Sequence, residues 1–179
     1  MTPPATPRLP SLRLATGAYV LGLVVLAAVL AYGGSHLPPR IAVHFDAAGH
    51  ANRWGSRNGQ LFGLATFGIA VPALIVGITS VARLFPPEML NVPNAEHWRK
   101  PENFSTACAY ARAVGVWLAA AITAWWAQFI GTTIAANLTQ PPHLDAGLVW
   151  VSSAVLLAII FVTVRRMQRF FRHIPPRRR

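Results

Sequence analysis

Apolar residues along this chain gather into four long runs separated by three polar stretches. The runs are approximately Leu14 to Tyr32, Leu61 to Ala82, Ala113 to Ala136 and Ala146 to Val164. Each is close to the roughly twenty residues that cross about 30 Å of hydrocarbon at about 1.5 Å of rise per residue. None contains Asp, Glu, Lys, Arg or His, and an Asp, Lys or Arg at mid-membrane would add about 2.5 to 3.5 kcal/mol to the cost of insertion. The pattern predicts an all-α integral membrane fold. Four transmembrane helices occupy residues 14–164, with a short β-like polar loop between the first two. Residues 1–13 are Pro-rich and read as a disordered or extended tail, and residues 165–179 as a basic tail. Arg8 and Arg13 before the first run, with Val29-Leu30-Ala31 near its end, also suit a signal peptide. That run exceeds the about 7 to 15 residues of a signal's apolar region, so it reads as a retained anchor.

The first polar stretch carries the densest chemistry. Arg40-Ile-Ala-Val-His-Phe45 alternates as a strand does, and Asp46-Ala-Ala-Gly49 is a turn sequence in which Gly49 is free to take positive φ. In a regular strand His44 and Asp46 share a face, and His50 returns across the turn. The loop therefore offers a His44, Asp46, His50 set for a divalent metal such as zinc, or hydrogen bonding by His44 and Asp46 that only shapes the loop. A metal-activated water here would make a membrane hydrolase, but it needs a general base, and Asp46 is the loop's only acid. No catalytic residue is assigned, and the chain is read as a non-enzyme.

The runs themselves add little chemistry. Without an ionisable group at membrane depth an ion-coupled pump is disfavoured, which leaves transport of a small neutral solute as a further alternative. Thr66, Thr79, Thr123, Gln128, Thr132, Thr133, Ser152, Ser153 and Thr163 are expected to bond across helices, for about 0.6 kcal/mol each. Gly63 and Gly68 permit close helix contact, Pro72 kinks the second helix, and Trp117, Trp125 and Trp126 add bulk to the third. Cys108 is the single cysteine, so no intramolecular disulfide forms, and it reads as a small interfacial residue. In the second polar stretch Pro86-Pro87 ends the preceding helix, Asn91 and Asn94 hold a tight turn, and Trp98 anchors at the headgroups.

Composition agrees with the bilayer reading: 54% of residues are hydrophobic and 12% charged, with a mean hydropathy of +0.42. Charge then orients the chain. Of its sixteen cations only Arg40, Arg53 and Arg57 lie in the first polar stretch and none in the third. The positive-inside rule places both termini in the cytoplasm and the His-bearing loop outside. Seven of those cations fall in residues 165–179, interleaved with Phe170 and Phe171. They suit anionic lipid headgroups, at about 1 kcal/mol per cation near the surface. The formal charge of +11 has no nucleic-acid motif beside it, so nucleic acid is excluded as a partner. Nothing in the pattern fixes an oligomeric state, and four helices leave room for self-association.

Two blocks of residues resemble a family. Leu37, Pro38, Ile41, His44, Phe45, Gly49, Trp54, Gly55 and Ser56 fit the pattern Leu-Pro, Ile, His-Phe, Gly, aromatic, Gly-Ser-Lys, with Arg57 in place of Lys. Asn91, Pro93, Asn94 and Trp98 fit a second block, with His97 in place of the usual Tyr. Residues 37–101 thus resemble the bacterial membrane proteins with domain of unknown function 1648, related to the SdpI-type immunity proteins that act against a sporulation-delaying peptide toxin. The resemblance implies a multi-pass protein of the bacterial cytoplasmic membrane. It would sense, or give immunity to, a membrane-active peptide, with the outer loop meeting the peptide and the inner side signalling to a regulator protein. It also marks Pro38, His44, Phe45, Asp46, Gly49, Trp54, Gly55, Asn91, Pro93, Asn94 and Trp98 as family-motif candidates.

Overall fold

All four apolar runs form helices, and each helix extends past its run at one end or both. The computed structural model describes residues 9–174. Along it lie α1 (Leu12–His36), β1 (Arg40–Phe45), β2 (Ala51–Ser56), α2 (Arg57–Val81), two single 3₁₀ turns, the short α3 (Ala95–Trp98), α4 (Pro101–Asn137) and α5 (Ala146–Arg172). The four long helices have the length and apolarity to cross a membrane, the pattern of a multi-pass membrane protein. Side-chain caps set three of the starts: Ser11, Ser56 and Asp145 accept the N–H of Leu14, Gly59 and Leu148. α4 instead starts on Pro101, whose missing N–H is no loss in a first turn.

α4 is the hub. α1, α2 and α5 all pack on it, while α1 and α2 touch each other far less. Half of α4's most apolar stretch is buried, and none of α5's is. Gly22 faces Thr123 and Gly33 faces Ile134, so α1 and α4 run parallel; Gly68 faces Trp126 and Gly115 faces Thr79, so α2 and α4 are antiparallel. The β1–β2 hairpin thus sits at one end of the bundle, with the C-terminus of α4 and the N-terminus of α5. α3 and the C-terminus of α5 sit at the other end.

At Gly68 the close approach is required, because a Cβ there would overlap the Trp126 ring. The Trp126 Nε1–H donates to the Leu64 carbonyl at 2.7 Å, tying α4 to α2 just before Pro72. Gly63 plays no such part: a Cβ there would meet nothing within 4 Å. Most of the hydroxyls expected to bridge helices bond within their own. Thr66, Thr79, Thr132 and Thr133 each donate to the carbonyl four residues back, at 2.7 to 3.0 Å. A short β-hydroxyl reaches that carbonyl more easily than a neighbouring helix.

The tails also differ from the simple pattern. The expected extended segment at 1–13 lies outside the described residues for 1–8, and α1 already begins at Leu12. In the basic segment 165–179 the helix continues to Arg172, because Phe170 and Phe171 are buried against Tyr110 and Trp98. Its residues 175–179 lie outside the described residues.

Replacing Gly68 by Val should destabilise the protein by about 1 to 3 kcal/mol through overpacking. Gly63→Ala should be neutral or stabilising by up to about 1 kcal/mol, through helix propensity. Heat-induced loss of the near-UV tryptophan signal in detergent orders the two against the parent chain.

Candidate functional site

The hairpin is irregular in a way that decides its chemistry. Arg40, Ile41 and Ala42 pair with Ser56, Gly55 and Trp54, but the next pairs are His44 with Arg53 and Phe45 with Ala51. Val43 and then Asn52 are left without an opposite residue, and such bulges break the in–out alternation. Ile41 and Ala42, adjacent in β1 just before the first bulge, are both buried. Ile41 joins Leu26, Leu37, Ile130 and Ile134 in one apolar cluster. Arg57 ties the start of the hairpin to its end, its N–H on the Pro39 carbonyl and its Nη1 on the Leu37 carbonyl, both at 2.9 Å. Pro38, in the same connection, is exposed.

On its free side β1 has an amide in place of a third strand. The Asn137 Oδ1 accepts the Ala42 N–H at 2.7 Å, and its Nδ2 donates to the Ala42 carbonyl at 3.0 Å. The same Nδ2 donates to the Thr133 carbonyl at 3.0 Å. Asn137 is buried, so the last residue of α4 satisfies a strand edge that water does not reach.

The turn is held by Asp46. Its Oδ1 accepts the N–H groups of Ala48 and His50, each at 2.9 Å, and its Oδ2 lies 3.4 Å from the His50 Nδ1. The His50 N–H, helped by the Ala48 N–H and the His50 ring, holds the Asp46 carboxyl below the ordinary carboxylate range against a smaller loss of hydration. Gly49 takes the positive φ its sequence context predicts, at 91°, and a Cβ there would overlap the Leu144 carbonyl oxygen. The Gly49 carbonyl accepts the Leu144 N–H at 2.9 Å. The His50 ring stands edge-on to His143 with centroids 5.4 Å apart. The turn is thereby seated on the α4–α5 connection.

His44, Asp46 and His50 do not converge as metal ligands. Among the described residues no three His, Cys, Asp or Glu side chains gather in a metal-holding group. The His44 Nδ1 donates to the Asn52 Oδ1 at 2.6 Å, the Asp46 oxygens serve the turn, and His50 faces His143. Asp46 lies one residue past the end of β1 at Phe45, so the strand alternation that would set it beside His44 does not extend to it. The hairpin exposes His44, His50 and Trp54 together with Arg40, Asn52 and Arg53, while Phe45 is half-buried and Gly55 packs on Val43.

The second motif block caps a helix at the opposite end. Asn94 is left-handed at φ 56°, a conformation Asn tolerates. Its Nδ2 donates to the carbonyls of Phe171 at 3.2 Å and Arg172 at 2.9 Å. The Trp98 Nε1–H adds a bond to the Phe171 carbonyl at 2.8 Å. These donors satisfy the carbonyls that the end of α5 leaves unpaired. Trp98 is buried at 4% exposure, not a headgroup anchor. It stacks on Phe170, whose other partner Tyr110 lies 3.6 Å away and parallel. Arg99 forks onto the Leu90 carbonyl, the His97 ring stands edge-on to Trp98, Pro93 is half-buried and Asn91 is exposed. Sequence reasoning passes over Asn137, Leu144, Tyr110, Phe170 and Phe171 as structural partners. The one signal for Asn137 is an amide closing an apolar run.

Asn137→Ala leaves both Ala42 backbone groups unpaired, a cost of about 1 to 3 kcal/mol. Amide exchange at Ala42 should accelerate about tenfold or more, while the α4 amides near Ala120 keep their protection. For Asp46 the folded carboxyl titrates below its unfolded value. It therefore stabilises the turn above the ordinary carboxylate pKa, and that stability is lost as pH falls through the folded value. Protection of the His50 amide should drop on acidification below about pH 4, and Asp46→Asn should flatten that dependence.

Residues 20–69 match the model of a family described as a domain of unknown function (DUF1648). The match takes in most of α1, the whole hairpin and the first half of α2, and ends before the block that caps α5. Neither the curated proteins nor the solved structures contain a match to this chain.

Proposed function

We propose that the chain is a non-enzymatic multi-pass protein of the bacterial cytoplasmic membrane that detects, or protects against, a membrane-active peptide. In this reading the hairpin meets the peptide on the outer face and the α3–α5 end signals to a regulator protein inside. The observation that carries it is the seating of the hairpin. Asn137 clamps β1 to one end of α4, and the other end of that helix holds the capped aromatic cluster. A peptide that loads the exposed Trp54 and His44 thus acts on an element continuous with the far end. The scarcity of cations in the two stretches at the hairpin end supports the orientation. The non-enzymatic reading is supported by Asp46, the hairpin's only acid, being engaged with its own turn.

Orientation is tested first. With Cys108→Ser and a single Cys at Ala48, a membrane-impermeant thiol reagent should label intact cells; labelling only after lysis would overturn the outward placement. In cells carrying the parent gene, survival under amphipathic membrane-active peptides should exceed that of a deletion strain. Trp54→Ser, expressed to the same level, should lose most of that difference. If deletion alters neither peptide sensitivity nor transcription of neighbouring genes, the proposal fails.

A further inference from the structure

We propose that the groove between α1, α4 and α5, at the end opposite the hairpin, binds one acyl chain of an anionic glycerophospholipid whose phosphate is held by Arg166. α5 leans on α4 chiefly through Phe170 and Tyr110. Above that contact α4 presents the small residues Ala120, Ala121 and Ala124 beside Trp117, and a groove stays open between α1, α4 and α5. The result is a cavity of about 550 Å³ walled by Ala18, Trp117, Ala121 and Ile159 and ending at Thr163 and Arg166, within the usual size range of small-ligand sites.

The placement of the charge selects the occupant. Ile159, Thr163, Arg166 and Phe170 follow one another at helical spacing of three and four, so they form one stripe of α5. Among the described residues Arg166 is the only charged one in the lining. Among the described residues the one acid–base contact is His50 with Asp46, so Arg166 has no carboxylate partner. It stands two residues past Val164, where the apolar run ends, the level at which lipid phosphates sit. An Arg fork matches a phosphate in two-pronged geometry, and the apolar groove running from it toward the hairpin end accepts the chain attached to that phosphate. Arg165 and Arg169 add positive field without lining the groove. A zwitterionic lipid would bring its own cation to the same place, which favours the anionic class.

Trp117 in the groove wall supplies a reporter. The full chain is placed in phosphatidylcholine nanodiscs containing a minor fraction of phosphatidylglycerol or phosphatidylcholine brominated on the acyl chains. The emission missing in Trp117→Phe isolates the Trp117 signal. Brominated phosphatidylglycerol should quench it about fivefold more effectively than brominated phosphatidylcholine, the equivalent of about 1 kcal/mol for one cation at an anionic group. Arg166→Gln should bring the two lipids to parity while Arg165→Gln keeps the preference, and Ala121→Phe, which fills the floor, should lower quenching by both. Equal quenching in the parent chain would overturn the site. Equal loss of preference in Arg165→Gln and Arg166→Gln would also overturn it, since diffuse surface charge then accounts for the selectivity.

Discussion

The two hydrogen bonds that Asn137 exchanges with Ala42 join the part of the chain that needs water to the part that excludes it. A two-stranded hairpin is marginal by itself, and its inner edge here abuts apolar side chains of α1 and α4. In such surroundings an unpaired strand edge is costly, because no solvent replaces the missing partner. A side-chain amide carries one donor side and one acceptor side, as a peptide group does, and so stands in for a third strand with a single residue. The burial of Ile41, the position of the Asp46 turn and the contact of Gly49 with Leu144 all require the hairpin to lie at this height and angle.

The opposite end solves the same problem with different groups. The C-terminus of α5 exposes carbonyls, and Asn94 and Trp98 supply the N–H donors. Stacked rings around Phe170 and Phe171 then exclude water from those bonds, which strengthens them. Both ends of the bundle are therefore closed by a side-chain donor from one segment bonding the backbone of another, and α4 forms part of both closures. α5, whose most apolar stretch is unburied, depends on this end for its attachment.

The sequence pattern makes the four helices legible because insertion energetics leave few alternatives for runs of that length. The strand, the turn and the positive φ of Gly49 are also readable, since local steric preferences dictate them. The grouping of His44, Asp46 and His50 rests on period-two alternation, which reveals neither the end of β1 at Phe45 nor the unpaired Val43 and Asn52, and among the described residues these three side chains do not gather. Trp98 reads as an interface anchor because its actual partners, Phe170 and Phe171, lie more than seventy residues away in a segment that looks merely basic. Asn137 is conspicuous only as an amide at the edge of an apolar run, and its partner Ala42 carries no signal at all.

α4 has 37 residues, which at about 1.5 Å per residue makes a rod of roughly 55 Å, well beyond the roughly 30 Å of a hydrocarbon core. The excess lies mostly on the side of α3, so the helix is an unequal lever whose longer free arm carries the aromatic cluster. Transmembrane helices rest at a range of tilts, and a change of about 5° in a rod of this length moves one end by about 5 Å relative to the other. A load on the hairpin too slight to alter any bond within it would thus be read, at the far arm, as a displacement of about one helical turn.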